Sequence, residues 1–202
     1  YFIGAMLGDG YSGAETKNGK IKYKGSPSIV GIDEEVFIIA KKICNKLELN
    51  CRTSLMANGT PQLVLSKNKW FREFLVRCGV EKGEDKHISK RLMKMSLDNV
   101  ASLLRGLFDT DGCVYNKYGN YAQIEFKFGY IETTSSVHKA VKGLGFNPTR
   151  IQRQLNNATG RFLWRFYLSR QGEIDLFFQK VKPKNQKHQL RYKKIRCGDT
   201  GI

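Results

Sequence analysis

No stretch of this 202-residue chain is apolar for the roughly 20 positions that a membrane-spanning helix needs. Nor does the chain open with the basic-then-apolar pattern of a secretory signal. The five cysteines (Cys44, Cys51, Cys78, Cys113, Cys197) are odd in number, widely spaced and without a Cys-x-x-Cys pair. That pattern argues against a disulfide framework and against a structural zinc site. The cysteines read instead as small hydrophobes of a reducing, intracellular compartment, either the cytoplasm or nucleoid of a prokaryote or an organelle. The histidines His87, His138 and His188 are scattered and propose no metal cluster. Acid is also scarce: 18 Asp+Glu stand against 35 Lys+Arg, a formal net charge of +17. At 41% hydrophobic and 26% charged residues the composition is globular. The surplus therefore points to a polyanion, and without a membrane segment the expected partner is nucleic acid.

What the chain does contain is a repeat. Phe2-Ile3-Gly4-Ala5-Met6-Leu7-Gly8-Asp9-Gly10 returns as Leu104-Arg105-Gly106-Leu107-Phe108-Asp109-Thr110-Asp111-Gly112, with Gly4 and Gly106, like Asp9 and Asp111, 102 positions apart. Two strand-like runs follow Gly10, then a helix over 33–47 with Val36, Ile39, Ala40, Ile43 and Leu47 at helical spacing. A hairpin is predicted from Arg52–Ala57 and Gln62–Ser66 across Asn58-Gly59, then a helix over 69–77 ending at Gly79. The second half predicts strands 113–118 and 121–128 around Tyr118-Gly119-Asn120, a helix over 134–144, strands 149–155 and 161–168, and a helix over 172–181. The expected fold is α+β: two pseudo-symmetric αββαββα half-domains, each with a four-stranded antiparallel sheet. They are expected at 1–79 and 97–181, with a polar linker at 80–96 and a basic tail at 182–202. The first residues read as the middle of an apolar helix, so the natural protein is expected to begin a few residues earlier.

Gly4 and Gly8, and likewise Gly106 and Thr110, lie at i and i+4, a spacing that lets two helix backbones approach closely. Leu7 and Met6, like Leu107 and Phe108, then face each half's own core. Each helix ends on an aspartate followed by a glycine that could take a left-handed cap. Crossing the helices brings Asp9 and Asp111 together, and a carboxylate at a helix C-terminus is unfavourable without a cation. Two such carboxylates form a hard oxygen site suited to Mg2+.

These two segments resemble the paired LAGLIDADG motifs of single-chain, intron-encoded homing endonucleases, and the elements after each copy resemble that family's half-domain. The resemblance implies a monomeric, metal-dependent endonuclease that cuts both strands of a long, asymmetric DNA site and leaves short 3′ overhangs. It implies a saddle formed by the two sheets in the major groove. Asp9 and Asp111 would hold Mg2+ (with Mn2+ or Ca2+ as alternative occupants), assisted by the main-chain carbonyls of Gly8 and Thr110. Such enzymes also place basic or amide groups around the metal; Lys86, Lys127 and Lys184 are the candidates, and Gly31 leaves the first half without a side chain at one such place. Leu7 stands where the family has its first aspartate, whereas the second copy keeps Asp109, which reads as a helix-end or interface hydrogen-bonding group.

The strand faces carry residue types that reach base edges and phosphates. In the first half these are Lys20, Lys22, Lys24, Arg52 and Gln62; in the second, Tyr115, Lys117, Gln123, Glu125 and Lys127. The last hairpin adds Arg150, Gln152, Gln154, Arg161 and Arg165. The run 180–196 has eight Lys+Arg and no acid, and reads as a short ordered helix or arm that meets phosphates, Lys187 among its contacts. The alternatives are a non-cleaving nucleic-acid binder on the same fold, such as an RNA maturase or transcription regulator, and the endonuclease part of an intein. The latter is disfavoured because no splicing block is recognisable.

Overall fold

A computed structural model of the protein describes residues 1–119 and 121–197. Asn120 of the predicted turn and the last five residues of the predicted tail lie outside them. The first half runs α1 (Phe2–Gly8), β1 (Gly10–Tyr11), β2 (Ala14–Lys17), β3 (Lys20–Tyr23), β4 (Ser28–Val30), α2 (Glu34–Lys46), β5 (Cys51–Leu55), β6 (Pro61–Leu65) and α3 (Lys69–Arg77). A short α4 (Lys90–Met93) follows. The second half runs α5 (Leu97–Asp111), β7 (Gly112–Tyr118), β8 (Tyr121–Phe128), α6 (Ile131–Gly143), β9 (Gln152–Asn156), β10 (Arg161–Leu168), α7 (Gln171–Lys180) and α8 (Gln186–Cys197).

Two antiparallel four-stranded sheets result, ordered β1-β4-β6-β5 and β7-β8-β10-β9, the same topology twice. Alternation sets their faces. Ile29, Leu63 and Leu65 point into the core in the first sheet, and Val114, Ile124, Phe126, Phe166 and Leu168 do so in the second. The core passes through both halves along α1 and α5, where Met6, Leu104, Leu107 and Phe108 are buried. Phe108 packs on Phe126 and Phe177, within its own half.

The helix pair is the tightest feature of the fold. A methyl group on Gly4 would overlap the Leu103 carbonyl oxygen, and one on Gly106 would overlap the Tyr1 carbonyl oxygen. The two clashes mirror each other, because residues 1 and 5 of α1 meet Gly106 as 103 and 107 of α5 meet Gly4. Backbones this close gain dispersion energy along the crossing.

Two expectations require correction. The strands after Gly10 are not two continuous runs: Gly13 (φ 71°) accepts from Lys24 N (2.9 Å) and Gly25 N (3.2 Å), and the hairpin bends there. Beyond the bend, β2 and β3 form a separate ribbon tied to α3 by Tyr23 O–H donating to Glu73 (2.6 Å) and by the Arg72 guanidinium over the Tyr23 ring (4.1 Å). Lys20, Lys22 and Lys24 therefore sit on this ribbon or just beyond it, off the four-stranded sheet. Arg150 precedes β9 rather than lying on it, because the strand begins at Gln152.

The basic tail, expected as a short ordered helix or arm, is over Gln186–Cys197 the helix α8, docked on the second half. Its apolar side buries His188 and Ile195. Tyr192 stacks on Phe178 (3.9 Å between centroids) and donates to Asp175 (2.6 Å), which also pairs with Arg196 (2.9 Å). Burial, then the nearby Lys187 and Arg191 charges, push the His188 imidazole down to about 4.

Two stability outcomes follow. Gly4→Ala loses about 1–3 kcal/mol in urea denaturation because the new methyl meets backbone, whereas Gly143→Ala, with open space around it, loses nothing. His188 binds its proton more weakly folded than unfolded, so stability falls as pH drops from about 6.5 towards 4. His188→Phe flattens that part of the Tm–pH profile; an unchanged profile refutes the assignment.

Candidate active site

Asp9 caps the C-terminus of α1 with φ −86° and ψ 10°, and Asp111 is the last residue of α5. The glycine after each is required by close approach, not by a left-handed cap. Gly112 is extended (φ −77°, ψ 158°) and Gly10 is not among the residues with positive φ. A methyl group on Gly10 would strike the Met6 backbone, and one on Gly112 the Phe108 ring, because each chain folds straight back along its own helix into the first strand.

The crossing interleaves the two helix ends. Asp111 Oδ2 lies 3.1 Å from the point where a Cβ on Gly8 would stand, so the second-half carboxylate reaches over the first helix. Asp9 Oδ2 lies 3.5 Å from the corresponding point on Gly31, just past β4, and the space a side chain there would fill is left open. Burial, then the Asp9 charge, raise the Asp111 carboxyl to about 7 despite Lys86. Asp9 is also raised, by burial first and by Asp33, with Lys86 and Lys187 opposing. Two half-buried carboxylates that resist ionisation lack positive charge.

Lys86 supplies some of it. Its Nζ donates to the carbonyls of Gly8 (2.7 Å) and Gly10 (3.0 Å), between the two aspartates. Burial lowers its affinity for the proton, and Asp111 and Asp9 restore part of it. The linker that carries Lys86 is fastened to α6 of the other half: Thr133 Oγ1 donates to the Lys86 carbonyl (2.5 Å), and Ile88 N donates to Ser136 Oγ (2.9 Å).

The remaining predicted groups divide. Lys187, expected on DNA, is close enough for its charge to lower Asp9, less strongly than Lys86 does. Lys184 contributes its backbone: its N–H, with that of Asn185, caps the fully buried Asp109 carboxylate at 2.9–3.1 Å. Asp109 thus holds the chain entering α8. Lys127 stands on the open face of the second sheet, 4.0 Å from Glu125. Gly8 O, expected to help hold metal, already accepts from Lys86, while Thr110 Oγ1 donates to the carbonyls of Gly106 (3.2 Å) and Leu107 (2.9 Å). Among the described residues no group of three or more His, Cys, Asp or Glu is gathered. A two-carboxylate oxygen set fits Mg2+, which keeps several of its waters.

The open faces are unequal. In the second sheet Gln123 and Glu125 are buried rather than water-facing, a further correction. Gln123 is held between Tyr115 and Ser169, and Glu125 pairs with Arg165 (3.5 Å) and Lys127. Tyr115, Lys117, Gln152, Gln154 and Arg161 are the less enclosed polar groups of this sheet. In the first sheet Tyr11, Ser28, Val30, Arg52, Ser54, Gln62 and Val64 line a shared hollow of about 500 Å³.

Residues 98–182, the second half, match the family model for the LAGLIDADG-like domain. That half is a LAGLIDADG-like domain. The same LAGLIDADG fold is seen in variants of the homing endonuclease I-DmoI (TM-score 0.60, 14% identity, 90% of this chain and 92% of that one). Full-length DUF199/WhiA from Thermatoga maritima aligns at TM-score 0.60 and 14% identity, over 100% of this chain and 61% of that one. I-DmoI has also been solved with DNA and Mn (TM-score 0.58, 14% identity, 90% and 93% covered). In sequence the chain is 30% identical over 133 residues to the ATP-dependent DNA helicase Hel308 of Methanocaldococcus jannaschii, covering 62% of this chain. It spans about a tenth (10%) of that helicase's length.

Because Asp111 holds its proton more tightly folded than unfolded, its contribution weakens as pH rises from about 4 to 7. Asp111→Asn removes that cost, so without divalent metal it raises Tm at pH 8 by a few degrees, about 2–4 °C per kcal/mol relieved in a chain of this size. The gap closes near pH 4; a variant less stable than the parent at pH 8 contradicts the repulsion.

Proposed function

We propose that this protein is a metal-dependent, site-specific DNA endonuclease that works as a monomer, cuts both strands of a long asymmetric target and leaves short 3′ overhangs. The observation that carries the reading is the half-buried Asp9–Asp111 pair at the end of the helix crossing, both of whose carboxyls are raised. Keeping two acids together in a chain of net charge +17 is costly unless a cation joins them. The solved I-DmoI complexes with DNA and Mn, and with DNA and Ca, support a divalent ion in this role.

Asp9 and Asp111 would hold the ion. Bound there, it would supply the Lewis-acid chemistry that activates water and stabilises the oxygen leaving a phosphodiester. The Lys86 ammonium, rigidly placed by the linker, neutralises charge beside the reacting phosphate. The Lys187 ammonium adds to this from the second half, acting on Asp9 less strongly than Lys86 does. Tyr115, Lys117, Arg52, Gln62 and the basic side of α8 meet bases and phosphates on either flank.

A non-cleaving nucleic-acid binder is the second reading. It is favoured by the bare place at Gly31 and by the occupation of the Gly8 and Gly10 carbonyls by Lys86. Incubation with a randomised duplex pool and Mg2+ separates the two. The nuclease reading expects double-strand cuts from a recurrent sequence, lost by more than about 100-fold in Asp9→Asn or Asp111→Asn, with binding retained. Binding without any cut by the parent protein selects the second reading. In either case log affinity falls with log salt by about 0.9 per phosphate neutralised.

A further inference from the structure

The two sheets repeat in topology but not in the chemistry they present. Strand register allows position-by-position comparison. Gly10 pairs with Ile29 as Gly112 pairs with Phe126, so Tyr11, Ser28 and Val30 occupy the places of Cys113, Glu125 and Lys127. Further out, Gln62 pairs with Val30 as Arg165 pairs with Lys127, and Val64 pairs with Ser28 as Tyr167 pairs with Glu125. At these five places the second sheet carries Cys, Glu, Lys, Arg and Tyr; the first carries Tyr, Ser, Val, Gln and Val. Three charges are replaced by none.

The two valines are not core residues. Their neighbours along the strands, Ile29, Leu63 and Leu65, are the ones buried at 0–3% exposure. Val30 and Val64 therefore lie on the opposite, partly exposed face, in the hollow shared with Ser28, Ser54, Gln62 and Arg52. Rigid β-branched groups framed by small hydroxyls cannot donate to or accept from a base edge. What they can do in a major groove is bury the 5-methyl group of thymine, the one apolar feature presented there.

Building on the endonuclease reading above, we propose that Val30 and Val64 make the first sheet a reader of thymine methyl groups, so that the half-site under it is selected for thymine. Gln62 and Arg52, across the ladder from these valines, then fix register through hydrogen bonds to adjacent bases or phosphates. The second sheet, whose charges are paired with one another, selects its half-site by polar contact.

The test begins with duplexes selected by the wild-type protein from a randomised pool in Ca2+, a step that scores retention alone. In a selected duplex, each thymine of one half-site at a time is replaced by deoxyuridine, which deletes only the methyl group. Binding is expected to weaken about fourfold per methyl lost in the half-site under the first sheet, the factor for one buried methyl-sized group. The other half-site is expected to be insensitive. The double variant Val30→Ser with Val64→Ser is expected to make thymine and deoxyuridine duplexes bind alike. Selected first half-sites without thymine enrichment, or equal affinity for both duplexes with the wild-type protein, overturn the proposal. Retention of no duplex at all overturns DNA recognition itself, and this proposal with it. Duplexes retained and methyl-sensitive but never cut in Mg2+ uphold the proposal while removing the nuclease reading.

Discussion

Where Gly4 faces Leu103 and Leu107, and Gly106 faces Tyr1 and Ala5, no side chain stands between the two helix backbones, and the positions of both halves are referred to that crossing. Glycine inside a helix costs about 1 kcal/mol against alanine, so the pair is stable only because contact along the crossing offsets that cost. The same approach decides where α1 and α5 end. It places Asp9 beside Gly31, leans Asp111 over Gly8, and folds each following strand back so tightly that Gly10 and Gly112 admit no side chain. The sheets then hang from the helix ends in a pseudo-twofold arrangement, each with its polar face open.

That geometry creates an electrostatic problem at its centre. Burial alone makes both carboxylates hard to ionise; the Asp9 charge adds to it at Asp111, and Asp33 adds to it at Asp9. The chain's answer comes from the connection between halves: the linker is clamped to α6 and sends Lys86 back to the Gly8 and Gly10 carbonyls. Even with Lys187 also acting on Asp9, burial keeps both carboxyls raised, which is the condition a divalent cation can relieve. The scaffold therefore builds a charge deficit locally inside a protein whose surplus elsewhere is strongly basic.

Much of this was legible from the residues in order. The repeat, the α+β class, most strands and helices and the aspartate pair are written in local patterns: apolar residues at helical spacing in 33–47, alternation in 121–128, small residues at i and i+4 in both motif copies. The failures share a cause. Lys20, Lys22 and Lys24 alternate as a sheet face should, but the bend at Gly13 and the anchor of Tyr23 on Glu73 carry them away. Gln123 and Glu125 alternate correctly as well, yet the curved face turns them against Tyr115, Ser169 and Arg165, where they satisfy one another. Lys184 and Lys187 were adjacent candidates in one basic run, and nothing in that run says which side chain approaches a carboxylate.

The sequence by itself therefore determined the twofold architecture and the two acids at its axis, because each is encoded within a dozen consecutive residues and then repeated. Only the tertiary structure decided that Lys86 is the cation held between them, that Asp109 secures α8 through the backbone of Lys184 and Asn185, and that the two sheet faces differ in charge at matched positions. Those facts depend on where distant segments cross: a lysine 78 positions from Gly8, and strands paired in a register set by the core. Local pattern can say that a residue faces outward, but what stands opposite it is settled by the path of the rest of the chain.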